Sequence, residues 1–113
     1  MPATYNDAKL IVALMRWGTE MGFDDALQEI FSDSFDSEDG SAESAAARKV
    51  LNFGETAGSF VKHGVLDPNL LTDLLGFGAM WRKVSARALF MRDQMGEPRL
   101  YEHFEALAAK STS

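Results

Sequence analysis

A chain of 113 residues with 46% hydrophobic, 11% aromatic and 25% charged side chains has the size and composition of one globular domain, so residues 1–113 are read as a single unit. Eleven Lys and Arg against seventeen Asp and Glu give a net charge of −6, which disfavours a general nucleic-acid binder, since that needs a basic surface facing phosphates. The absence of cysteine excludes a disulfide scaffold, a thiolate metal site and a cysteine nucleophile, and it fits a reducing, cytoplasmic setting.

The start, Met1 to Asp7, lacks the basic segment of a secretory signal. Thr4, with Asp7 three residues on, predicts the N-terminus of a first helix. Leu10, Leu14, Trp17 and Met21 follow at helical spacing, and Ile11 and Met15 widen the stripe enough to predict burial over much of the circumference. The apolar run Leu10 to Met15 stops at Arg16, far short of a membrane span. Gly18 and Gly22 loosen the end of this helix. Asp25-Ala26-Leu27-Gln28 reads as a capping box opening a short second helix through Phe31.

From Ser32 to Ser44 the chain is acidic, serine-rich and aperiodic, with a solvated loop expected at about 32–41. Placing Gly40 at position 6 of an EF-hand puts Phe35 at position 1 and Ala46 at position 12, so the calcium pattern fails at both ends. A third helix is predicted from Ser41 or Ala42 to about His63, with Val50, Phe53, Ala57, Phe60 and Val61 on one face. Arg48, Asn52, Glu55, Ser59 and Lys62 fall largely opposite. Gly54 and Gly58 each weaken this helix by about 1 kcal/mol relative to Ala, which close approach of a neighbouring helix would offset.

Gly64 ends the third helix, and Asp67-Pro68 starts a fourth whose core side is Leu70, Leu71, Leu74 and Leu75. Gly76-Phe77-Gly78 breaks the pattern, and a fifth helix runs from Ala79 to Met95 with Met80, Trp81, Val84, Ala88, Met91 and Met95 at helical intervals. Gly96 ends it. Pro98 is read as the start of the last helix, with Tyr101, Phe104, Leu107 and Ala108 inward. The fold class is all-α: a bundle of five or six helices, no sheet.

Chemistry-bearing patterns are sparse. No Glu-x-x-His, His-Glu-x-x-His, phosphate-binding glycine loop or Gly-x-Ser-x-Gly elbow occurs, so no catalytic residue, metal or cofactor is called for. His63 reads as a helix-end residue and His103 as a surface residue. Charge is distributed unevenly: residues 1–44 hold two basic and ten acidic side chains, and residues 45–113 hold nine basic and seven acidic. Arg82, Lys83, Arg87, Arg92 and Arg99 crowd the fifth helix and its end, either as an anion site or as the complement of the acidic N-terminal third; the second is favoured. Twelve aromatics and six methionines exceed what a small core needs, which leaves Phe31, Phe35, Phe77 and Phe90 available to cover a partner.

The stretches Arg48-Lys49-Val50-Leu51-Asn52-Phe53-Gly54-Glu55 and Val61-Lys62-His63-Gly64-Val65-Leu66-Asp67, then Trp81, Arg92 and Pro98-Arg99-Leu100-Tyr101-Glu102-His103-Phe104-Glu105, resemble an uncharacterised bacterial helical family known as a domain of unknown function. The resemblance covers roughly residues 45–108. Many members of that family carry an N-terminal membrane helix, from which this sequence departs, and the N-terminal third lies outside the resemblance. It implies a bacterial helical domain and brings no catalytic residues.

The expected function is a non-enzymatic helical interaction module that self-associates, its partner being itself, as a homodimer, or another protein. The alternative is a small-ligand or anion-binding domain with a cleft near the fifth helix, using Glu55, Arg82, Arg87, Arg92 and Tyr101. An enzyme would require Glu55, His63, His103 and Arg92 around one cavity.

Overall fold

The computed structural model describes residues 3–110. Among them are six helices and no strand: α1 (Tyr5–Met21), α2 (Phe23–Ile30), α3 (Ala45–Lys62), α4 (Pro68–Leu74), α5 (Phe77–Met95) and α6 (Glu102–Lys110). The all-α bundle expected from the sequence is what forms.

Thr4 caps α1 through a reciprocal box: its hydroxyl accepts from the Asp7 amide, and the Asp7 carboxylate accepts from the Thr4 amide at 2.7 Å. The backbone bond from Thr4 holds the Asp7 carboxyl below its ordinary range. Gly22, at φ 86°, ends α1 and also begins α2. Because α2 starts directly from this left-handed glycine, the capping box expected at Asp25 does not form. Asp24 and Asp25 instead lie inside the first turn, where carboxylates suit the positive helix end.

The acidic loop extends further than the composition suggests. The Asp39 carboxylate binds the hydroxyl and amide of Ser41, which depresses its pKa, and the Ser44 hydroxyl accepts from Ala47 N at 3.1 Å. These local bonds hold residues 41–44 out of helical geometry, so α3 begins at Ala45 rather than at Ser41 or Ala42.

α3 is the spine of the fold, with α2, α5 and α6 packed against it. Val50, Phe53 and Ala57 are buried as expected, and Phe60 and Val61 pack beside them. Glu55, expected on the far side, faces α6 instead. Gly54 and Gly58 explain why: a Cβ at Gly54 would enter the Phe104 ring, and one at Gly58 would meet the His103 carbonyl. The close approach anticipated from the two glycines is made by α6.

Asp67 caps α4 through Leu70 N at 2.9 Å, and its own amide donates to Asp7 at 3.1 Å, tying the starts of α1 and α4 together. Of the four leucines expected inward on α4 and its end, Leu71 is buried and Leu74 is exposed, since a helix of seven residues turns too little of its surface toward α6. α5 begins at Phe77, two residues before Ala79, and Phe77 is fully buried rather than available to a partner. It meets Phe104 edge-on at 6.3 Å, and Trp81 meets Phe104 in the same way at 5.1 Å. Pro98 does not start α6. Tyr101 sits at φ 63°, a left-handed conformation no helix can run through, so α6 starts only at Glu102.

α1 departs most from expectation. Within this helix Ile11, Leu14 and Gly18 are buried, Gly18 lying against the Phe53 ring, whereas Met15 and Trp17 are exposed. α1 is an outer helix resting mainly on α2 and α3, so one side of its wide apolar pattern is covered and the other is not.

Candidate functional site

Each cation singled out on α5 has a definite position. The Arg87 guanidinium donates to the carbonyls of Gly40 and Ser41 at 3.1 and 3.3 Å and pairs with Glu43 at 2.8 Å, so it fastens the acidic loop to α5. Gly40 lies close enough to the Ala86 carbonyl that a side chain there would collide with backbone. Arg92 lies 5.8 Å over Trp81, donates through Nε to the Leu100 carbonyl at 2.7 Å, and pairs with Glu105 at 3.0 Å. It holds the turn between α5 and α6. Arg82 is on the exposed side of α5.

Glu55 is a tertiary cap. One carboxylate oxygen accepts from the amides of His103 and Phe104, each at 3.0 Å, and the other bonds His103 Nδ1 at 2.7 Å. The residues ahead of α6 (Arg99, Leu100 and Tyr101) offer no capping oxygen, so α3 supplies one from 48 positions away. That missing local cap is the trace in the sequence that could have revealed the contact. His103 is therefore not simply a surface residue. Its Nε2 also lies 3.7 Å from Glu102, whose carboxyl is held low by Arg99.

Glu55 and Tyr101 line one shallow cleft of about 440 Å³, shared with Arg99 and His103. Burial raises the Tyr101 phenol pKa, against the opposing pull of positive Arg87. Arg87 borders a different cleft of about 400 Å³, where Lys83 sits among Glu29, Asp36, Asp39 and Glu43. The five candidates are thus divided between separate surfaces. For the catalytic arrangement, Glu55 and His103 are bonded and the His63 ring lies 6.3 Å from that of His103, but Arg92 is turned to Leu100 and Glu105. His63 Nδ1 is 2.9 Å from the Ser59 carbonyl at the end of α3. Among the described residues no cluster of His, Asp and Glu is arranged to hold a metal ion, and no helix is long and apolar enough to cross a membrane.

A further feature is a shallow, open groove of about 440 Å³ along the outer face of α1, lined by Tyr5, Ala8, Lys9, Val12, Ala13 and Arg16. Tyr5 is 72% exposed and Val12 61%. Helical spacing places Tyr5, Ala8, Val12 and Met15 along one stripe, with Lys9 and Arg16 on its flank.

Among the described residues, fold and site together define an all-α domain of six helices whose outermost helix is partly uncovered. The chain belongs to the family described as Domain of unknown function (DUF4760), whose model matches residues 3–111. The match includes α1 and α2, well beyond the stretch that carried the resemblance. Neither a search of the curated proteins nor one of the solved structures found a match.

Proposed function

We propose that this domain is a non-enzymatic interaction module that works by self-association, in a reducing cytoplasmic setting. The observation that carries the proposal is the outer face of α1, where Tyr5, Val12 and Met15 remain in water although the helix is apolar on both sides. A helix with apolar residues around most of its circumference is stable in a soluble protein when both sides are covered.

Light scattering coupled to size-exclusion chromatography tests this: a homodimer is expected at high micromolar concentration, and a strict monomer there overturns it. The alternative of an anion site near α5 has weaker support, because Arg87 and Arg92 already serve carbonyls and carboxylates, and the cleft beside Lys83 carries four acidic side chains. If it were correct, phosphate would raise the melting temperature and Arg87→Ala would abolish the rise.

A further inference from the structure

We infer that the α1 groove receives the Phe31 end of α2 from a second copy of this chain, an inference that rests on the self-association proposed above and assigns its surfaces. This open helix face carries Tyr5, Ala8, Val12 and Ala13 with Lys9 and Arg16 among them, and these two are the only basic side chains in residues 1–44. Its occupant must bring an exposed apolar anchor flanked by carboxylates. The chain has such an element. Phe31 is 47% exposed at the C-terminal end of α2, with Glu29 before it and Asp33 after it, both exposed.

A lysine lies on the other side of this aromatic: Lys83 Nζ is 5.6 Å from the ring centroid, and Phe31 remains open to solvent despite it. Docking places Phe31 over Val12 and sets Glu29 and Asp33 against Lys9 and Arg16. It buries the apolar anchor and sets opposite charges against each other. In a two-fold dimer the contact occurs twice, each copy giving its Phe31 and receiving its partner's, so the assembly closes. The same pairing accounts for an otherwise unbalanced distribution, in which the two cations of the acidic third stand together on one outward face.

Sedimentation equilibrium on the full chain tests the surfaces. Val12→Glu and Phe31→Ser each act at an exposed position, so each should keep the wild-type helicity while weakening the dimer about tenfold or more, as loss of an interface anchor does. The charge variants Lys9→Glu/Arg16→Glu and Glu29→Lys/Asp33→Lys should each be monomeric alone and should dimerise when mixed, because mixing restores opposite signs. A wild-type dimer that survives all four changes overturns this assignment and leaves self-association standing through another face. A wild-type chain that stays monomeric overturns both.

Discussion

Replacing Glu55 with alanine removes the acceptor of three donors at once: the His103 and Phe104 amides at 3.0 Å and the His103 imidazole at 2.7 Å. Bonds to a charged acceptor contribute about 1.5–3 kcal/mol each when well shielded. The Glu55 side chain is 30% exposed, however, so water replaces part of what is lost. The helix-capping scale, about 0.5–2 kcal/mol for the pair of amides, is the better guide, and about 1 kcal/mol follows for the imidazole bond. The expected loss for Glu55→Ala is therefore about 1.5–3 kcal/mol, a large share of the roughly 5–15 kcal/mol typical of a domain. At about 4 °C per kcal/mol for a chain of this size, the melting temperature falls by about 6–12 °C. Glu55→Gln keeps one oxygen for the two amides but loses the charge facing the helix end, and should fall by about 1 kcal/mol. Urea and thermal unfolding followed by circular dichroism read both variants. A Glu55→Ala midpoint within about 0.5 kcal/mol of wild type, the range of an ordinary surface change, would refute the capping role.

Gly58→Ala and Gly54→Ala should each destabilise by about 1–3 kcal/mol through overpacking, although helix propensity alone predicts a gain of about 1 kcal/mol; a higher urea midpoint for either would contradict the close approach of α6. Arg87→Ala should raise amide hydrogen exchange through residues 31–44 while α3 stays protected, with a stability loss of about 1–2 kcal/mol; unchanged exchange in the loop would show that Arg87 does not hold it. The buried Tyr101 phenol has a raised pKa, so its contribution is complete below the ordinary tyrosine value near 10 and is lost as pH climbs through the higher folded value. Urea midpoints should therefore drop as the pH rises above about 10, and Tyr101→Phe should flatten that decline. Asp7 runs the other way: its lowered pKa gives stability present above about pH 4 and lost as pH falls through the folded value.

Most of the helices were legible because their signals are local. Thr4 and Asp7, Asp67 and Pro68, and the glycines at 22, 64 and 96 act within a turn or two of their own position. The pair Gly54 and Gly58 told of a close neighbour but not which one. What escaped was set at a distance or by backbone conformation. Tyr101 adopts a left-handed φ that its residue type does not announce, which displaced the start of α6 from Pro98 to Glu102. Glu55 looked solvent-facing by periodicity because the stripe of apolar residues was taken as the whole of the packed surface, and α6 packs beyond its edge. Arg87 and Arg92 were grouped by proximity in sequence, yet one reaches the loop before α3 and the other the turn before α6. Apolar periodicity on α1 gave the quantity of hydrophobic surface correctly but not how much of it the chain itself would cover.

The cap that α3 lends to α6 also governs how the chain folds. α6 has nine residues, and isolated helices shorter than about 12–15 residues are marginal in water. With its second and third amides, those of His103 and Phe104, satisfied by Glu55, α6 gains its starting point when α3 is already in place beside it. Helix formation at this end of the molecule and assembly of the core are then a single event, and α6 should unfold together with its attachment to α3 instead of fraying ahead of it. A segment that looks like an independent helix is thus tied to the stability of the core it packs on.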